Sequence, residues 1–314
     1  MSSTSTSCRA VIDVGTNSVK VLVGDVAPDG SVEPLLETSE QTRLGRGFYE
    51  THRLQPEPIA ATAAAVGRFV RLAREHGAAT VRVVATSAAR DAKNRDELLA
   101  ALLAAGGIPV EVISGETEAD WAFAGVCSAP ALANAPVLVL DVGGGSTEFI
   151  LGTAGRPCLR RSFQLGSVRL FEQLRPGDCP TSADLERARQ RLREFLGDEV
   201  APSLSGPLSE HPPARVVGVG GSTAILALIR AGMDCFDRAL IESTRFGNNE
   251  LSVLVERLWS LPLLERRKLP GLPPERADVI LIGAAIYEAI LRAFGFPELS
   301  VSTRGLRYAA LVRP

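Results

Sequence analysis

The chain has 314 residues, 46% of them apolar and 22% charged, with a formal net charge of −2. That length suits two domains; the near-balance of charge argues against a nucleic-acid surface, and no apolar run approaches the ~20 residues needed to cross a bilayer, so no membrane partner is expected. Five scattered cysteines without a Cys-x-x-Cys pair argue against a disulfide framework or a thiolate zinc site and fit a reducing cytoplasm, while "MSSTSTS" lacks the features of a secretory signal and residues 1–8 read as a disordered tail.

"CRAVIDV" and "VKVLVGDVA" read as strands joined by the tight "GTNS" turn. Asp29-Gly30 then turns the chain into "SVEPLLETSEQTRL", so three antiparallel strands open the fold. From residue 56 to 77, Ile59, Ala63, Val66, Phe69, Val70 and Ala73 share one helical face, with Gly77 as the stop. "TVRVVATS" is apolar enough for a strand buried on both faces. Residues 94–105 read as a helix capped by Asn94 and closed by Gly106-Gly107; "PVEVIS" follows as a strand and "GETEADWAFAGV" as a helix. The Ala/Pro-rich stretch 127–136 reads as a hinge. Beyond it the plan repeats: "APVLVLDVGGGSTEFILGTAG" is strand, turn, strand; "PCLRRSFQL" is a third strand; "GSVRLFEQL" and "TSADLERARQRLREFL" are helices. "ARVVGVGG" is a strand leading into the helix "STAILALIRAG"; "NNELSVLVERLWSLP" and the span 273–295 are helices; the end is a strand and a short helix. Alternation of β and α predicts α/β sheets covered by helices, and two such lobes about a hinge predict a cleft.

Three apolar strands end in small or hydroxyl residues: "DVGTNS", "DVGGGST" and "GVGGST". Glycine lets a ligand approach the backbone without a Cβ, and successive N–H groups in such a turn form a nest for an anion. Residues 220–223 also open a helix, whose N-terminal amides favour phosphate. Three nests on one cleft would suit several phosphates in series. Neither a Walker A loop nor a G-x-G-x-x-G fingerprint is present.

Carboxylates flank these turns. Asp13 and Asp141 close apolar strands, where an acid is costly to bury unless paired or metal-bound. Asp13 could instead satisfy its own turn amides, but its recurrence at Asp141 favours positioning of a metal or a water. Asp141 and Glu148 could present two oxygens to Mg²⁺. In "SGETEAD", Ser114 can cap a helix with Glu116, Glu118 and Asp120 in its first turns; such acids stabilise a helix start by ~0.3–1 kcal/mol each, and composition does not single one out as a base. Arg90 follows a strand end; its plain role would be a salt bridge to Asp91 or Asp96.

Taken together, "DVGTNSVK", "TRLGRG", "ATSAARDAKN", "VISGETEA", "LDVGGGSTEF", "GVGGST", "PPERADVILIGAAI" and "STRGLR" resemble, in order and over nearly the whole chain, the exopolyphosphatase / guanosine pentaphosphate phosphohydrolase family, in its short, two-domain form. The resemblance implies the actin / sugar-kinase / Hsp70 superfold: two actin-like, ribonuclease-H-like α/β domains, 9–127 and 128–314, each a mixed five-stranded sheet flanked by helices around a cleft, with the last helix, about 305–312, returning to the first domain. It implies that Glu118 is the catalytic base that activates water and that Asp13 belongs to the catalytic machinery. Gly15, Thr16, Asn17, Ser18, Arg90, Gly143, Gly144, Gly145, Ser146, Thr147, Gly220, Gly221 and Ser222 would bind phosphates, and Asp141, Gly143 and Glu148 would serve Mg²⁺ or Mn²⁺. Lys20 is not carried over.

The expected reaction is Mg-dependent release of orthophosphate from inorganic polyphosphate, on short chains, because larger relatives continue into a helical domain and this sequence ends at Pro314. Tyr308 and Ala309 replace a common Glu-Gly, and Thr117 stands where many members carry a second acid; both affect fine specificity. Guanosine pentaphosphate as substrate, a non-catalytic nucleotide- or polyphosphate-binding regulator, and a kinase of the same superfold stay open as alternatives, although no aromatic platform for guanine and no acceptor-site base stand out. A homodimer is the default the resemblance implies.

Overall fold

The computed structural model describes residues 6–313 and divides into two units, one formed by the chain up to Ser128 with Arg304 onwards, the other by Ala129–Thr303. In the first, β1 (Ser7–Val14), β2 (Ser18–Val26) and β3 (Val32–Gln41) form an antiparallel meander. After α1 (Phe48–Thr51) and α2 (Pro56–Glu75) come β4 (Thr80–Ala85), α3 (Ser87–Asp91), α4 (Arg95–Gly106), β5 (Val110–Val112) and α5 (Gly115–Cys127). β4 adds parallel to β1 and β5 parallel to β4, giving the order β3-β2-β1-β4-β5. Alternation along the strands feeds two cores. Ile12, Val14, Val21 and Val23 join Val66, Phe69 and Val70 of α2 on one face. Val11, Leu22 and Val84 join Trp121 of α5 and Leu306 and Leu311 of the C-terminal helix (Leu306–Val312) on the other.

The second unit repeats the scheme. β6 (Val137–Val142), β7 (Thr147–Thr153) and β8 (Arg156–Phe163) form the meander, followed by α6 (Ser167–Leu174), α7 (Ser182–Phe195), a π-helical turn at Leu196–Val200, α8 (Ala201–Glu210) and β9 (Arg215–Val219). Then come α9 (Gly221–Ala231), α10 (Arg238–Ser243), β10 (Arg245–Gly247), α11 (Asn248–Ser260), α12 (Leu263–Arg266), α13 (Ile280–Phe294) and β11 (Glu298–Val301). The sheet order is β10-β11-β9-β6-β7-β8. Five of these strands correspond to the five of the first sheet; β10 adds a sixth at the edge, three residues long, with Phe246 fully buried. So short a strand leaves no periodicity in the sequence to find.

Local departures from expectation have local causes. Of the expected tail, residues 1–5 lie outside the described residues, while Ser7 and Cys8 already pair with Val26 and Asp25 in β1. β4 ends at Ala85 rather than Ser87, because Ser87 starts α3, and its first half is only partly covered. Asn94 sits at the start of α4 but makes no side-chain cap. Its amide instead brackets the backbone of Leu54: Leu54 N–H donates to Oδ1 at 2.8 Å and Nδ2 donates to the Leu54 carbonyl at 3.0 Å. The span 273–295 is not one helix; its prolines open a single 3₁₀ turn, Pro274–Arg276, and α13 begins only at Ile280. Among the described residues no helix is long and apolar enough to cross a membrane.

Asn94→Ala is expected to cost about 1–3 kcal/mol in urea unfolding, because both backbone groups of buried Leu54 lose their partner. Asn94→Asp, which keeps only the acceptor, should fall between the two.

Candidate active site

In each unit the candidate residues gather where parallel strands end, the place at which α/β sheets bind ligands. In the first unit β1 ends at Val14, β4 at Ala85 and β5 at Val112, side by side in the sheet. The β1–β2 turn closes with Gly15 N–H on the Ser18 carbonyl at 3.0 Å, and Thr16, Asn17 and Ser18 are buried within it. Arg90 arrives from α3, after β4; Glu118 arrives from α5, after β5. Ser114 caps α5 by accepting from Thr117 N–H, which orders the first turn.

That turn separates its acids. Glu116 faces solvent, Asp120 is half-buried, and Glu118 is buried. Arg90 Nη1 donates to Glu118 Oε2 at 3.1 Å and to the Ile113 carbonyl at 3.2 Å, while Nε lies 3.7 Å from Asp91. Arg90 therefore pairs with the candidate base as well as with Asp91, and not with Asp96 as its neighbourhood in sequence allowed. The pair holds a carboxylate, desolvated but charge-balanced, beside the first turn's strand edge.

Asp13 and Lys20 are opposite each other across the β1–β2 hairpin, so their side chains share a face; Lys20 Nζ lies 3.8 Å from Asp13 Oδ2. Lys20 was passed over in the sequence. Counting outward from the turn would have found it, since Asp13–Lys20 occupies the rung that Asp141–Glu148 occupies in the second unit.

In the second unit the β6–β7 turn closes in the same way, Gly143 N–H on the Ser146 carbonyl at 2.9 Å. Asp141 and Glu148 face each other across the hairpin, and the buried Glu148 accepts from Ser162 Oγ at 2.7 Å. β9 runs parallel to β6, with Asp141 beside Val219, which brings the third turn alongside the second. Gly220 has φ +90°, and a Cβ there would lie 2.7 Å from Asp141 Oδ1, so glycine is what lets the carboxylate reach across the third turn. Ser222 is buried at the start of α9.

Not every expected ligand is placed to be one. Gly143 has its N–H on Ser146 and its carbonyl accepting from Ser167 N–H and Oγ, so both of its backbone groups are already engaged in shaping the turn. Thr147 is fully buried and donates its hydroxyl to the Leu165 carbonyl. Two contributors went unassigned in the sequence. The Arg276 guanidinium lies over Gly221, where an added Cβ would stand 2.9 Å from Nη2, and its only signal was the "PPERAD" motif. Tyr287 of α13 puts its hydroxyl 3.1 Å from the Val219 carbonyl and accepts from Val142 N–H at 3.3 Å, tying the ends of β6 and β9 together. Burial, with Asp141 nearby, pushes its phenol pKa upward, so it stays neutral.

The donor chemistry fits a hard cation completed by substrate. Mg²⁺ takes one or two carboxylates and fills its shell with water and phosphate oxygens. Asp141 and Glu148 on one face could supply that set, whereas among the described residues no group of three or more His, Cys, Asp or Glu side chains is placed to hold a metal alone. In the first unit the buried Nδ2 of Asn17 has no hydrogen-bond partner among the described residues, a donor left for a ligand oxygen or a water.

Comparison with known proteins agrees with this architecture. The sequence matches the Ppx/GppA phosphatase family over residues 23–313. It is 36% identical to exopolyphosphatase 2 of Mycobacterium tuberculosis over 306 residues, 93% of this chain and 94% of that protein. Exopolyphosphatase 1 of the same organism is 27% identical, across 96% of this chain and 87% of that protein. Among solved structures, the Aquifex aeolicus family member superposes with a TM-score of 0.79 at 30% identity, covering 98% of this chain and 97% of that one. An exopolyphosphatase from Cytophaga hutchinsonii gives 0.86 at 26% identity, covering 97% and 96%. The two mixed sheets are those of this actin-like, two-domain fold.

Tyr287→Phe removes one hydroxyl from a site that keeps its shape. It should lower stability by about 1–3 kcal/mol in chemical denaturation, the cost of leaving strand-end backbone groups short of a partner.

Proposed function

Because the chain belongs to the Ppx/GppA phosphatase family, we propose that it is an exopolyphosphatase that releases terminal orthophosphate from inorganic polyphosphate, with Glu118 as the base that activates water. The observation that carries this is the pairing of buried Glu118 with half-buried Arg90 at the strand edge where the first glycine turn opens. Water oxygen would bond to the terminal phosphorus as its bridging P–O bond breaks. The shortened chain would leave on that bridging oxygen, and the water's proton would pass to Glu118.

Phosphoryl transfer asks mainly for positioning and for neutralising the equatorial oxygens. Arg90 is suited to both: its planar fork, engaged with Glu118 and Ile113 here, can be shared with an arriving phosphate. The turn amides, Asn17 Nδ2 and Arg276 would add further donors. A cation bound by Asp141 and Glu148 would screen phosphate charge. The contrast between the two rungs supports placing it there: Asp13 is balanced by Lys20, whereas Asp141 faces a second carboxylate. The named relatives favour polyphosphate over guanosine pentaphosphate as the substrate.

The test is phosphate release by the purified protein from polyphosphates of several lengths, guanosine pentaphosphate and ATP, each with and without Mg²⁺. Turnover of polyphosphate above the other two is expected; binding of polyphosphate with no phosphate released from any of the three would make the protein a non-catalytic regulator. Glu118→Gln should lower kcat about 10²–10⁴-fold with polyphosphate binding retained. Glu148→Gln should raise the Mg²⁺ concentration needed for half-maximal activity, and an unchanged Mg²⁺ titration would remove Glu148 from the metal site.

A further inference from the structure

A turn rich in glycine has the least intrinsic preference for where its peptide groups point. An anion site needs the opposite, with each N–H facing the ligand and each carbonyl facing away, since a flipped peptide presents its oxygen to the anion. Something outside the turn has to fix that polarity.

In both units the same kind of segment does so. In the second, the chain leaving β8 comes back under the "GGG" turn. Val168 and Arg169 N–H donate to the Gly144 carbonyl at 2.9 and 3.0 Å, and Arg169 Nε donates to the Gly145 carbonyl at 2.8 Å. In the first, the chain leaving β3 comes back under the "GTNS" turn. Gly45 N–H donates to the Thr16 carbonyl at 2.7 Å, and Thr42 and Arg43 N–H donate to the Asn17 carbonyl at 3.2 and 3.0 Å. Thr16 and Asn17 hold the positions in their turn that Gly144 and Gly145 hold in the other. The inner carbonyls of both turns are thus tied on one side, while the N–H groups of these four residues have no acceptor among the described residues.

Each returning segment carries the same dipeptide, a buried leucine followed by glycine: Leu44-Gly45 and Leu165-Gly166. The approach is too close for a side chain. A Cβ on Gly166 would sit 2.4 Å from the carbon and oxygen of the Gly144 peptide and 2.5 Å from the Gly145 carbon. A Cβ on Gly45 would sit 2.4 Å from the Thr16 methyl. The first clash is with backbone, the second with a side chain, so the second can be relieved more easily.

We propose that Leu44-Gly45 and Leu165-Gly166 are a pair of clasps that lock the peptide polarity of the two anion turns, which makes Gly45 and Gly166 positioning residues for phosphate binding. The inference rests on the proposed polyphosphatase activity but concerns residues outside the turns themselves. It explains why so mobile a sequence as three glycines can hold a preorganised cradle, and why the tie is built twice.

The test uses the full chain, inorganic tripolyphosphate as probe, and four variants: Gly166→Ala, Gly45→Ala, Arg169→Met and Gly271→Ala. Gly271 is the control, because its Cβ would also meet backbone at 2.4 Å, on Leu228 in α9. Thermal melts report folding; KM, kcat and the rise in melting temperature given by tripolyphosphate report the cradle. Gly166→Ala should raise KM about 10- to 100-fold, the loss of one or two hydrogen bonds to a charged ligand, and abolish the ligand-induced rise. Gly45→Ala should act in the same direction more weakly. Arg169→Met, which removes the Gly145 tie without adding bulk, should raise KM even if Gly166→Ala fails to fold. Gly271→Ala should lower the melting temperature while its folded fraction keeps the wild-type KM. A wild-type KM in folded Gly45→Ala and Arg169→Met would overturn the clasp. A wild-type protein that neither binds nor cleaves tripolyphosphate would sink the polyphosphatase assignment first, and the clasp with it.

Discussion

A parallel strand ends with peptide groups that no neighbour completes, and a sheet that lays several parallel strands together collects those ends on one edge. Both units depend on that edge. β1, β4 and β5 bring a glycine turn, Arg90 and Glu118 to it in the first; β6 and β9 bring two glycine turns and Asp141 to it in the second. The antiparallel partner in each meander then decides what stands opposite the strand-end aspartate. The helices serve this edge as well as the core: α5 carries Glu118 on one turn and Trp121 on the next, one buried against Arg90, the other in the hydrophobic cluster.

Much of the fold was legible because it is periodic. Ile59, Val66, Phe69 and Val70 mark the buried face of α2 by spacing alone, and the repeated Asp-Val-Gly pattern exposed the doubled meander. What escaped was aperiodic or was settled by distant contacts. β10 is three residues long and owes its place to pairing with β11, far along the chain. Asn94 read as a cap because its position is a cap's, yet the side chain answers to Leu54, forty residues away in sequence.

The site divides along the same line. Turn glycines and flanking acids are local and could be named from sequence. Which of the three acids of α5 is buried is not local, because it follows from which side of the helix meets Arg90: Glu118 does, Glu116 faces solvent and Asp120 is half-buried. Arg276 and Tyr287 reach their turns from elements remote in the chain, and local spacing gives no sign of where they land. Thr147 shows the converse: a hydroxyl in a glycine-rich turn suggests a ligand contact, but the strand takes it to the interior, where it holds the Leu165 carbonyl.

The two hairpins differ at one cross-strand position, where lysine stands in the first and glutamate in the second. The first aspartate carries its counter-ion on a neighbouring strand, supplied by the chain itself. The second faces another carboxylate on the neighbouring strand, so the rung itself supplies no counter-charge. A single ladder rung thus gives two halves that share a backbone plan opposite electrostatic characters, one an acid facing a base and the other an acid facing an acid.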